Sequence, residues 1–502
     1  MRAGAGRQGR RNPAARARRR RRRPPARDPG CGARGGLGVV CGVFGIRSSD
    51  RDVARLTYFG LFALQHRGQE SAGIAVSNRG RLTVVREMGL VAQVFDEEKL
   101  QALPGDVAIG HARYSTTGSS RWSNAQPLVQ HGSARTVALG HNGNLTNTSE
   151  LRAALAEERI ALGTTSDTEA IAALIAHDPS PLPQAVAGAM ARLEGAYSVV
   201  LLSEGKLVGF RDPHGIRPLA LGRLANEHGS DDWVLASETC ALDLIGARFD
   251  REVRPGEVVV IDENGLESVQ ALSEARQALC IFEHVYFARP DSTLAGSEVH
   301  GVRLRMGERL AAEAPVEADL VMPIPDSGTP AAVGYSRASG IPFTEGLIKN
   351  RYVGRTFIEP DQGLREQGIK LKFNPLAEVS GKRLVIVDDS IVRGSTMRQL
   401  VAMLVDAGAR EVHVRISSPP IVSPCYYGID FADVEQLAAS RRTPEELCEL
   451  IGASSLHHLS LEGMQGATRL PEQSVCRACF TRSYPTRVPL DENVAKLRFE
   501  RV

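Results

Sequence analysis

Between residue 41 and about residue 275, apolar positions recur in short β-type runs separated by turn residues: "GIAVSN", "LTVVRE", "DVAIGHARYS", "TVALGHNGNL", "YSVVLLSEGKLVGFRD", "WVLASE" and "GEVVVIDENG". Two stretches with helical spacing interrupt them, "VARLTYFGLFALQHR" and "TSELRAALAEERIAL". Short runs bounded by Gly, Asn and Asp predict a β-rich sandwich carrying helices. The pattern changes near Cys280. Over 318–420 apolar strands alternate with Gly-capped helices, as in "ADLVMPIPDSG", "TPAAVGYSRASG", "IPFTEGLIK", "KRLVIVDDS", "STMRQLVAMLVDAG" and "EVHVRISSP". Continuous apolar strands of this kind predict a buried parallel sheet. The stretch 351–375, polar and Gly-rich between two strands, suits a mobile lid.

At 502 residues the chain has room for two or three domains, and 42% hydrophobic with 24% charged residues is ordinary for a globular protein. Charge divides it unevenly. Residues 1–40 hold 13 Arg and one acid, Asp28, a net +12, which leaves −9 for the remainder. "RARRRRRRPPARDPG" has no apolar core, which argues against a secretory signal, and Pro interrupts any helix in it. A disordered tail or propeptide, or an over-extended translation start, is the expectation. A nucleic-acid-binding arm is the sharper alternative. No apolar run reaches about 18 residues, so no membrane span is expected. With no secretory signal, the eight Cys are expected to be reduced thiols, metal ligands or catalytic groups, in a cytoplasmic protein. The expected organisation is 1–40 as a basic preface, 41–275 as the β-rich domain, 276–485 as the α/β domain, and 486–502 as a tail.

"RLVIVDDSIVRGSTMRQLVAMLVDAG" carries the clearest chemistry. A buried strand ends in Asp388 and Asp389, and a short loop leads through Gly394, Ser395 and Thr396 into an amphipathic helix. Helix N-termini favour phosphate, and adjacent acids at a strand end can bind ribose hydroxyls or Mg2+. A P-loop ATPase is disfavoured because no G-x-x-x-x-G-K-[ST] occurs. The stretch resembles the signature of type I phosphoribosyltransferases, which bind phosphoribosyl pyrophosphate (PRPP). "PIPDSG" (323–328) stands where that family keeps its pyrophosphate loop, and "IKNRYVGRTFI" (348–358) where it has a closing hood, with Lys349, Arg351 and Arg355 able to meet phosphate charge.

In the first domain the question is Cys41, in "GVVCGVFGI". A thiol is a nucleophile only as thiolate or beside a base. Were Cys41 the first residue, its own α-amine, with pKa about 7.7–8.0, would be that base. Alone, the residue reads equally well as a small buried hydrophobe. "HARYSTTG" offers Arg113 for a carboxylate, "GHNGNLTN" offers an amide and an N–H for an oxyanion, and "TSDTE" offers Asp167 for an ammonium. By itself "HNG" is also a good hairpin turn.

"CGVFGI", "LQHRGQESAGIA", "GHARYSTTG", "GHNGNLTN" and "TSDTEAI" resemble, in that order, the N-terminal-nucleophile glutamine amidotransferase domain. Followed by the phosphoribosyltransferase signature, residues 41–485 resemble the amidophosphoribosyltransferase family. The resemblance implies an α+β sandwich in αββα layers followed by an α/β type I phosphoribosyltransferase domain with a parallel sheet. It implies that PRPP, glutamine and water give 5-phosphoribosylamine, glutamate and pyrophosphate at the start of purine synthesis. Cys41 would be the nucleophile, Asn142 and Gly143 the oxyanion donors, and Arg113, Asp167 and Gly68 the glutamine holders. Asp388, Asp389 and Ser327 would organise ribose and Mg2+, while Arg393, Gly394, Ser395, Thr396, Lys349 and Arg351 would hold PRPP. The resemblance further implies purine nucleotides as feedback inhibitors and a homotetramer, with neither nucleic acid nor membrane as partner.

Cys240, Cys425 and the pair Cys476 and Cys479 of "SVCRACF" could form a four-thiolate site for zinc or an iron–sulfur cluster. One branch of the resembled family carries a [4Fe–4S] cluster and a propeptide, which selects the cluster and these four ligands. Cys280 and Cys448 are expected to be core residues. A hexosamine-forming aminotransferase would share the first domain but needs sugar-isomerase domains in place of "VIVDDSIVRGST". A catalytically retired, nucleotide-binding regulator is the alternative from another class, although every expected catalytic group is present.

Overall fold

The computed structural model describes residues 40–114, 118–226, 231–351, 369–430 and 434–488. Two antiparallel sheets face each other in the first half. In one, of seven strands, Gly42–Arg47 lies between Asp231–Ala236 and Val107–Arg113; in the other, of six, Thr136–Leu145 pairs with Gly195–Ser203. Alternate residues of both sheets, among them Val43, Ile109, Ala138, Val200 and Leu207, meet in a shared apolar layer. The opposite faces carry helices. Val53–Ala63, capped by the Asp52 carboxylate on Arg55 N, covers the first sheet, and Asp167–His177 and Leu182–Met190 cover the second. This is the β-rich sandwich that the short runs predict, in the αββα layers that the family resemblance implies.

The second half is built round a parallel sheet in the order Leu320–Pro323, Arg383–Asp388, Glu411–Ile416 and Ser455–His458. Its strands are apolar through their centres because helices such as Val299–Glu313, Thr329–Ser339 and Ser395–Asp406 pack beside them. "IPFTEGLIK" was expected to be one more strand. It instead contributes a single bridge, Phe343 to Val321, and then Leu347–Lys349 pairs with Phe373–Pro375 in a separate ribbon. The Gly346 backbone at φ +60 turns the chain out of the sheet between them. Most of the expected lid, Arg355 included, falls outside the described residues.

The halves share a core. Val40, Tyr114, Ala196 and Ile216 pack with Cys280, Phe282, Ile421, Tyr427, Val475 and Cys479. A short parallel ribbon, Leu279–Cys280 on Val475–Cys476, ties the C-terminal segment into it. Among the described residues no helix is long and apolar enough to cross a membrane.

Candidate active sites

Cys41 lies at the head of strand Gly42–Arg47, and its thiol donates to the Tyr114 carbonyl at 3.2 Å. A small cleft opens there, lined by Cys41, Arg113, His141, Gly143 and Asp167 among others. Burial pushes the Cys41 thiol up to about 11, although the hydrogen bond to Tyr114 and the nearby Arg113 pull the other way. At neutral pH the sulfur is therefore protonated, and attack requires a base in contact with it.

The other groups come from the adjacent strand, the facing sheet, a helix start and a loop. Arg113 ends Val107–Arg113, buried, with Nη1 3.7 Å from Glu70 and donating to the Ser119 carbonyl at 3.3 Å. Gly68 lies flat against this strand end; a Cβ on it would stand 2.3 Å from the Ala112 oxygen. Asp167 opens its helix behind the N-cap Ser166 and accepts from Leu145 N at 3.1 Å. Asn142 is wholly buried on Thr136–Leu145, and neither its amide oxygen nor its amide nitrogen has a hydrogen-bond partner among the described residues. Gly143 adopts φ +151, and a Cβ there would lie 2.0 Å from the Ala196 oxygen, so only glycine fits. The expected glutamine-site residues are thus gathered at one end of the sandwich. Gln126 and Thr168 were missed: Gln126 accepts from His141 N at 2.8 Å and donates to Thr168 Oγ1 at 2.9 Å, fixing the strand that bears Asn142. Neither belongs to a motif that distinguishes it from an ordinary polar residue.

In the second half Asp388 closes its strand, and Asp389 N donates to the Asp388 carboxylate at 2.9 Å. Ser390 donates to Asp389, and Ser327 hydrogen-bonds to it as well. Gly328 allows that approach, since a Cβ on it would meet the Val387 oxygen at 2.3 Å. Burial raises both carboxyls above the usual range, Asp388 further through its neighbour Asp389, while the Ser327 and Ser390 hydroxyls pull Asp389 down. Gly394, at φ +78, starts helix Ser395–Asp406 with no side-chain cap, and Ser395 and Thr396 are exposed on its first turn. Arg393 is half-buried beside them. Lys349 ion-pairs with Asp326 of the "PIPDSG" turn, and Arg351 is exposed at the edge of the described residues. Buried Arg303 faces Asp389 from helix Val299–Glu313; the sequence offered no signal for it.

The thiols require a correction. Cys425, Cys476 and Cys479 do come together, but their fourth neighbour is Cys280, directly opposite Cys476 in the ribbon. Cys240 is elsewhere, at the start of Thr239–Leu244 in the core beneath the first sheet's helices, 3.7 Å from Glu238. Its thiol faces Glu238, Ser292 and Arg289, with none of Cys425, Cys476 and Cys479 among its neighbours there. Burial pushes Cys280 up to about 12 and raises Cys425, Cys476 and Cys479, and the Arg217 guanidinium lies near Cys280 and Cys425. Cys448 is half-buried in the α/β core and donates to the Ala453 carbonyl at 3.3 Å.

Fold and sites together define a glutamine amidotransferase joined to a phosphoribosyltransferase. A family model for a glutamine amidotransferase domain matches residues 111–243, and one for a phosphoribosyl transferase domain matches 304–417. The amidophosphoribosyltransferase of Synechocystis sp. is 53% identical over 467 residues, covering 92% of this chain and 94% of that protein. That of Mycobacterium bovis is 51% identical over 470 residues, covering 91% and 88%. Among solved structures, the glutamine PRPP amidotransferase of B. subtilis complexed with ADP and GMP superimposes with a TM-score of 0.84 at 44% identity, covering 90% of this chain and 98% of that one. The chain belongs to the amidophosphoribosyltransferase family. Its reaction takes PRPP, glutamine and water to 5-phosphoribosylamine, glutamate and pyrophosphate, the first step of purine synthesis.

Proposed function

We propose a division of labour between the two sites at the level of single residues. Cys41 attacks the glutamine carboxamide, its own freed α-amine takes the thiol proton, and a γ-glutamyl thioester forms as ammonia leaves. Water then releases glutamate. Asn142 and the Gly143 N–H receive the oxyanion, Arg113 the α-carboxylate, and Asp167 with the Gly68 backbone the α-ammonium. The carrying observation is the Asn142 amide: wholly buried, between the cleft-lining residues His141 and Gly143 in the chain, it has no hydrogen-bond partner among the described residues. A buried donor held unsatisfied is costly, and a site that needs it pre-aimed is a physical reason to keep it.

Ammonia then attacks C1 of PRPP and pyrophosphate leaves. Asp388, Asp389 and Ser327 hold the ribose hydroxyls and a Mg2+ ion. Arg393, Gly394, Ser395 and Thr396 hold the 5-phosphate, with Lys349 and Arg351 on the pyrophosphate side. Bound Mg2+ neutralises charge on the leaving group. Among the described residues no three His, Cys, Asp or Glu side chains form a cage for a metal ion, which suits a Mg2+ that arrives with its phosphate ligands. Cys280, Cys476 and Cys479, all buried, and the partly buried Cys425 have the donor chemistry of a [4Fe–4S] cluster, which these four residues would hold. Purine nucleotides as inhibitors, a tetramer, a cytoplasmic location and an enzyme that begins at Cys41 complete the proposal.

The test is Cys41→Ala. Glutamine-dependent pyrophosphate release should vanish while release with free ammonia persists; loss of both would end the two-site reading. Intact mass of the purified protein reports whether the Val40–Cys41 bond is gone.

A further inference from the structure

A chain of fully buried charges runs between the two halves. Arg67 donates through Nε to the main-chain carbonyl of Cys41 at 3.0 Å and through Nη2 to Glu283 at 2.8 Å. Its Nη1 meets Glu238, which also accepts from His66, Arg289 N and Ser292. Arg217 donates to the same Glu283 oxygen at 3.1 Å, and through Nε and Nη2 to the Tyr427 carbonyl at 2.9 and 2.7 Å. The Arg67, Arg217 and Glu283 side chains have no exposed surface.

Both arginines end on backbone at the glutaminase site. Cys41 has two anchors, its carbonyl on Arg67 and its thiol on Tyr114, and together they constrain rotation about both its Cα–C and its Cα–Cβ bonds. The direction of the α-nitrogen relative to sulfur follows. The residue after Tyr427, Gly428, sits with φ +103 against Gly143, where a Cβ would stand 3.0 Å from the Gly143 carbonyl carbon. Tyr426 O accepts from Asn144 Nδ2 at 3.0 Å. Glu283 itself belongs to the π-helical turn Glu283–Phe287, in the half of the chain that binds PRPP. Its second oxygen is buried with no partner among the described residues. Stability alone is a poor reason for this arrangement, because apolar replacements for buried ion networks are often neutral or better.

We propose that Glu283 is a positioning residue of the glutaminase reaction, holding the Cys41 carbonyl through Arg67 and the Tyr427–Gly428 segment behind Gly143 through Arg217. This rests on the reading of Cys41 as nucleophile. Nucleophile and oxyanion donor thus take their alignment from one carboxylate outside the amidotransferase sandwich.

Glu283→Gln keeps the shape and removes the charge. The expected result is a glutamine-dependent kcat at least tenfold lower with glutamine KM within threefold. Ammonia-dependent turnover should stay within twofold, and alkylation of Cys41 by iodoacetamide should slow in the same proportion as kcat. Glu283→Asp, which keeps the charge, should restore part of the loss, and it decides by the same measurements if the Gln variant does not fold. An unchanged glutamine rate, or equal loss with glutamine and ammonia, overturns the positioning role. Cys41→Ala measured alongside separates the two failures: a variant still using glutamine would remove the underlying reading, whereas a dead Cys41→Ala beside a fully active Glu283→Gln would remove only this inference.

Discussion

In the first half the reactive groups sit on neighbouring antiparallel strands, clamped by buried hydrogen bonds and by glycines that leave no room for a side chain. In the second half the acids stand at the open end of one parallel strand, and the residues proposed to hold phosphate lie on a loop and the first turn of a helix. Closed strands hold a small, weakly charged substrate by shape and aimed dipoles. An open sheet edge suits a large polyanion that brings a metal ion with it. The difference teaches that rigidity is placed where a thiol must be aligned to fractions of an ångström, and openness where phosphates must enter and leave.

That contrast can be broken at three points. The largest effect is expected at Asn142. Asn142→Ala should lower glutamine-dependent kcat by roughly 10²–10³-fold, the usual cost of one oxyanion donor. Ammonia-dependent turnover should stay, and because the lost amide has no partner, the melting temperature should not fall. A variant that loses stability instead would mean the amide is structural.

The thiols give the second test. Cys280→Ser should remove most of the iron and acid-labile sulfide from purified protein, whereas Cys240→Ser should leave both in place. The reverse result, or zinc alone in the unaltered protein, would refute the assignment. The smallest effect is a pH dependence confined to one arm. Burial pushes the Cys41 thiol up to about 11, so attack needs a base, which in the proposed mechanism is the α-amine of Cys41. An amine accepts a proton only when neutral. The glutamine-dependent kcat/KM should therefore climb several-fold as pH rises through about 7.7–8.0 and then level, a limb absent from the ammonia reaction once free ammonia concentration is held constant.

Much of this was legible before any coordinates. Alternating runs gave the sandwich, and "VIVDDS" with "RGST" gave the strand end and helix start, because those features depend on neighbours in sequence. The failures depend on neighbours in space. Cys240 was preferred to Cys280 although only Cys280 lies on the strand that pairs with Val475–Cys476, a pairing that no local pattern encodes. Arg67 lay inside the quoted "LQHRGQESAGIA", yet its contacts with Cys41, Glu238 and Glu283 span up to 216 residues. Nothing in the sequence around Tyr427 and Gly428 signals that they back Gly143. "IPFTEGLIK" has the composition of a strand, and Gly346 turns it aside.

The ribbon of Leu279–Cys280 on Val475–Cys476 also sets an order in time. Synthesis runs from the N-terminus at about 5–20 residues per second, so the strand at Val475 follows the one at Cys280 by roughly 10–40 s. Tyr427 and Gly428 follow Cys280 by about 150 residues, roughly 7–30 s, and until then Gly143 has no Gly428 behind it and Arg217 has no Tyr427 carbonyl to hold. A nascent chain can therefore finish its sandwich and still lack an aligned glutaminase. Hydrolysis of glutamine waits until the part of the polypeptide that uses the ammonia has been made.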